Sequence, residues 1–131
     1  MAANTDPIFP SSAIIGIGTT IATSTARANV TGTGTNTACT NTSTNGLRVD
    51  AIVVTAAATT AAACVTIWIY DGTTQFLFDE FVVPAITPST TVAAYSATKF
   101  YTSLVLPATY RIFAATTIGQ NTNVFVMGGA F

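Results

Sequence analysis

The chain has no histidine, and its 131 residues include only four basic and five acidic side chains. Without imidazole it lacks the commonest general base, the usual activator of a serine or cysteine nucleophile, and the commonest zinc ligand. Two cysteines, Cys39 and Cys64, are too few for a four-ligand structural zinc site, and their spacing matches no redox motif. A disulfide between them stays open at this level. The four cations, Arg27, Arg48, Lys99 and Arg111, are scattered, so no basic stripe exists to neutralise successive phosphates, and direct nucleic-acid contact is not expected. The opening Met1 to Pro7 has neither the basic nor the apolar region of a secretory signal, so export by that route is not expected.

The carboxylates are equally sparse. Asp79 and Glu80 are neighbours, and on a strand their side chains leave opposite faces, so they cannot flank one substrate. Asp71 and Asp79 could meet across a hairpin, but calcium needs more oxygens than nearby residues supply. Gly16-Ile-Gly18 and Gly32-Thr-Gly34 lack the third glycine or Gly-Lys-Thr ending of a phosphate loop and read as strand kinks or turns. No catalytic, cofactor or metal residue is assigned, and no enzymatic activity is expected.

What is present is apolar and β-forming. Hydrophobic residues make up 50% of the chain and mean hydropathy is +0.56, which excludes disorder and implies a surface covered in part by other chains. Ala51 to Tyr70 runs without charge, glycine or proline for the length of a membrane span. Its threonines and alanines dilute it, and Asp50 and Asp71 bound it, so two strands joined by a small-residue turn fit better. No membrane contact is expected.

Strands are expected over 13–23, 27–31, 47–56, 64–70, 75–83, 91–95, 99–106, 110–117 and 123–130. Asp71-Gly72 is a tight-turn signal that should pair 64–70 with 75–83. Gly32 to Gly46, nearly all Thr, Asn and Gly, reads as a long exposed loop or an edge hairpin. The expectation is an all-β, antiparallel β-sandwich, jelly-roll-like, of about eight strands, with a closed barrel as the alternative. Residues 13–131 form the single domain and 1–12 an extended N-terminal arm, because Pro7 and Pro10 refuse a central sheet position. Alternation predicts a core of Val53, Ile67, Ile69, Phe76, Phe78, Val105, Ile112 and Val126. Trp68, Tyr70, Tyr95, Phe100 and Tyr101 either form a sugar-stacking platform or fill the core and a subunit interface.

Five segments carry a family resemblance: Asn4-Thr-Asp-Pro-Ile-Phe9, Asn45-Gly-Leu-Arg-Val-Asp-Ala-Ile52, Asp79-Glu-Phe-Val-Val-Pro84, Leu106-Pro-Ala-Thr-Tyr-Arg-Ile112 and Gly128-Gly-Ala-Phe131. With them the chain resembles small virion proteins of tailed phages, in the class of capsid decoration or cement proteins. The resemblance implies a β-sandwich subunit, a homotrimer, bound to the major capsid protein on the outside of the head and assembled in the host cytoplasm. The Thr-rich 32–46 segment and the two cysteines depart from that pattern. The alternative is a tail or head-fibre module that binds a host receptor or glycan. Ile8, Phe9, Pro10 and Phe131 are the expected interface residues.

Overall fold

A computed structural model describes residues 10, 12–20 and 27–131, and every regular element among them is a strand. In chain order these are β1 (Ser12–Thr20), β2 (Val30–Thr31), β3 (Thr37–Ala38), β4 (Leu47–Ala56), β5 (Ala63–Tyr70), β6 (Thr74–Val83), β7 (Ser96–Leu106), β8 (Arg111–Thr116) and β9 (Thr122–Ala130). They form two antiparallel sheets, ordered β1-β9-β4-β7 and β2-β6-β5-β8-β3. The pairs β1 with β9, β3 with β8, β4 with β7 and β5 with β6 nest inside one another. This is a long hairpin wrapped into a sandwich, the jelly-roll topology, with β2 added at one edge.

Local chemistry accounts for the elements. In the β5–β6 hairpin Gly72 takes φ +102° at no steric cost. Asp71 Oδ1 accepts bonds from the backbone N–H of Thr74 at 2.8 Å and of Thr73 at 2.9 Å, which hold its carboxyl below the usual range. Ala51 to Tyr70 forms most of β4, a turn and β5, with β4 and β5 in different sheets. Among the described residues no helix is long and apolar enough to cross a membrane.

Val49, Ile52, Val54, Val124 and Val126 of one sheet meet Val65, Ile67, Phe81, Val83 and Ile112 of the other in the core. Three expected core residues are instead exposed. Val105 lies between Leu104 and Leu106, which take the inward face of β7. Phe78 is the extra residue of a bulge opposite Ile67 and Trp68, which breaks the simple alternation, and Phe76 pairs with Ile69 at the core margin, where it is left partly open. Val53 is half-buried because it faces away from the core, and Ile69 half-buried at the core margin.

Other boundaries also move. Residues 91–95 form no strand: a turn, in which Ser89 Oγ accepts the Val92 N–H at 3.1 Å, precedes β7 at Ser96. The expected strand at 27–31 shortens to Val30–Thr31, and 21–23 lie outside the described residues. Residues 32–46 are not a free loop. β2 and β3 sit at opposite edges of one sheet, so residues 32–36 cross its outer side. Beside that crossing Gln75, fully buried, donates from Nε2 to the carbonyls of Gly32 (2.8 Å) and Thr33 (2.7 Å) and accepts from Asn36 Nδ2 (2.9 Å). Every polar atom of that amide is thereby satisfied.

Candidate interface

The two long margins of the sandwich are closed by different means. On one, β1 leans over β3: a Cβ on Gly16 would overlap the Cys39 carbonyl, so only glycine permits this approach. The Gly16-Ile-Gly18 pair thus serves packing. On the other, Asp79 of β6 reaches across to β7, accepting from Lys99 Nζ and Tyr101 Oη, each at 2.7 Å. Burial raises the Asp79 carboxyl, but the bonds from Lys99 and Tyr101 outweigh it and leave it below the usual carboxylate range. Burial and the neighbouring carboxylate push the Tyr101 phenol up. A phenol held protonated and a carboxylate already occupied form a clasp and not an acid-base pair. Glu80 turns the other way, to Arg27 at 2.5 Å. Asp71 is committed to its hairpin, so it does not converge with Asp79 on a cation, and no three His, Cys, Asp or Glu gather among the described residues.

Both cysteines are free. Cys39 is level with Ile112, and through β8 with Ile69, whereas Cys64 lies five residues back along β5. At about 3.3 Å per residue they stand roughly 16 Å apart along the strands, far beyond disulfide reach. Burial pushes the Cys39 thiol up to about 12.

The five aromatics proposed as a platform do not share a surface. Trp68 is fully buried, with Nε1 donating to Thr66 Oγ1 at 3.0 Å, and Tyr70 packs edge-on against Phe113 at 5.2 Å. Tyr95 and Tyr101 pack against the core, while Phe100 stands alone on the other sheet at 82% exposure. A groove of about 460 Å³ opens between β1 and residues 40–44. Ile14, Leu47 and Ala130 line it along with Thr40 to Thr44, and none of its lining residues titrates or bears an aromatic ring.

Among the described residues, an extended apolar surface is the outer face of the β1-β9-β4-β7 sheet. Cross-strand register places side chains in rows, because directly paired residues share a face. One row runs Ile17, Phe125, Val53, Thr98; the next runs Ile15, Met127, Ala51, Phe100; a third runs Ala13, Gly129, Arg48, Val105. Ile15 is 68% exposed, Ile17 60% and Val105 52%, so the margins of the face are open and Phe125, Met127 and Val53 lie between them. Its charged side chains, Arg48 and Asp50, pair with each other at 3.0 Å. This face is apolar and low in charge, and of its residues the sequence had offered only Phe100 for an interface. Of the four expected interface residues, Pro10 packs on Gly129 and the Phe131 N–H donates to the Gly46 carbonyl at 3.2 Å, so both sit half-buried at one end of this same sheet. Ile8 and Phe9, with most of the proposed arm, lie outside the described residues.

No family model, no curated protein and no solved structure matches the chain.

Proposed function

We propose that the chain is a structural subunit of a larger particle, a decoration or cement protein on the outside of a phage head, and that the outer face of the β1-β9-β4-β7 sheet is the surface through which it assembles. The observation that carries this reading is that face: three adjacent rows of largely apolar side chains, with Ile15, Ile17 and Phe100 more than half exposed and one internally paired charge couple. Soluble monomers seldom leave such a contiguous surface open, and the buried centre of a subunit interface is poor in charge. A four-stranded face of this length covers roughly 450 Å² in projection, so hiding it is worth about 11 kcal/mol gross before association costs remove most of that. Repeated over a shell, a small surplus per copy reinforces contacts between capsomers. The wrapped-hairpin topology suits this role, since jelly rolls recur in capsids, but a fold alone assigns no function. A receptor- or glycan-binding fibre module would call for an exposed aromatic pocket, and the 40–44 groove has none.

The test is to attach an electron-dense label to the chain and image particles purified from its host. The reading predicts regularly spaced label over the outer head. Label confined to the tail, or absent from particles, would overturn it.

A further inference from the structure

We infer that the partner on the outer face of the β1-β9-β4-β7 sheet is a second copy of this chain, packed face to face about a two-fold axis. This rests on the reading of that face as an assembly surface and names what covers it. Size is the first argument. Strands about 4.8 Å apart and residues about 3.4 Å apart make the face roughly 19 by 24 Å, so two copies would hide about 900 Å² in projection, before side-chain relief is counted. That approaches the ~1,000 Å² expected of a specific interface.

Charge is the second. Arg48 and Asp50 neutralise each other within one copy, at 3.0 Å, so the face brings no net charge against its own image and offers a charged partner nothing to complement. Symmetry is the third. A two-fold contact needs one patch that fits itself, whereas a ring needs a second, matching surface. The outer side of the opposite sheet is broken up instead, since residues 32, 33 and 36 bond Gln75 there and Trp68 is fully buried. The resemblance to decoration proteins implies three copies, so the two geometries give different masses.

Sedimentation equilibrium of the full chain at micromolar concentration separates the possibilities. The expected result is twice the chain mass for the wild type and for Val82→Asp, an exposed site on the other sheet, with Ile17→Asp and Phe100→Asp each weakening association at least 100-fold. Near-ultraviolet circular dichroism of Trp68 verifies that each variant is folded. A monomeric wild type, a trimer, or a dimer that survives both face variants overturns the inference. Binding of the same variants to host particles is a separate readout. If the wild type is monomeric yet the face variants fail to bind particles, the docking role stands with a different partner. If they bind as the wild type does, the docking role falls as well.

Discussion

Replacing Asp79 by Asn tests how the open margin of the sandwich is held shut. Asp79 is about one-quarter exposed and accepts bonds from Lys99 Nζ and Tyr101 Oη, both at 2.7 Å, while its backbone belongs to β6 and theirs to β7. The amide keeps the shape but loses the charge, and its NH₂ must face either the ammonium or the phenol. Charge-assisted bonds contribute about 1.5 to 3 kcal/mol each when buried, and partial exposure of Lys99 discounts its share, so a loss of about 2 kcal/mol is expected. Unfolding entropy near 2.1 cal/mol/K per residue converts this to a fall in Tm of about 7 °C for a chain of this length. Tyr101→Phe, which removes one bond and leaves the ion pair, should cost about 1 kcal/mol. The pH dependence has a definite sign. Because the folded carboxyl titrates below its unfolded value, its contribution is full above about pH 5 and is lost as pH falls through the folded value. The gap between wild type and Asp79→Asn should therefore hold steady from pH 8 to about 5 and close below about 4. Calorimetry at fixed protein concentration gives both numbers. A Tm change under 2 °C, or a gap that widens in acid, would refute the clasp.

Three further outcomes follow from the packing. Gly16→Ala forces a Cβ into the Cys39 carbonyl, so β1 must lift from β3, with a loss of at least about 2 kcal/mol in denaturant unfolding. Gln75→Ala leaves two carbonyls and the Asn36 amide without their partner, which should cost about 2 to 3 kcal/mol and make residues 32–36 the first site of limited proteolysis. With both thiols free, reductant should leave Tm unchanged, and a thiol reagent at pH 8 should reach Cys39 only after unfolding, since burial pushes it up to about 12.

Strand positions were legible from runs of β-forming residues and from turn signals, more than which face points inward. β4 was expected over 47–56 and is found there, and Asp71-Gly72 placed the β5–β6 hairpin. Alternation failed where both faces are apolar: in Leu104-Val105-Leu106 nothing local says which side faces in, and in β6 the bulge at Phe78 resets the count. Trp68 looked like a surface aromatic candidate because alternation sets it on the face opposite to Ile67 and Ile69, yet that face is buried too. The apolar face was hidden for a different reason. Ile15 and Ile17 meet Met127 and Phe125 only through a pairing of the two ends of the chain, and Val53 joins them through a third strand. Of these only Val53 was given a direction by alternation, the inward one; the shared outward direction belongs to the sheet order.

The proposed role depends on assembly through one sheet face. Its most direct test is particle occupancy of the wild type, Ile17→Asp and Val82→Asp, measured by quantitative labelling of purified heads after expression in the host. Full occupancy is expected for the wild type and Val82→Asp and near-total loss for folded Ile17→Asp; equal occupancy of all three would overturn the proposed role.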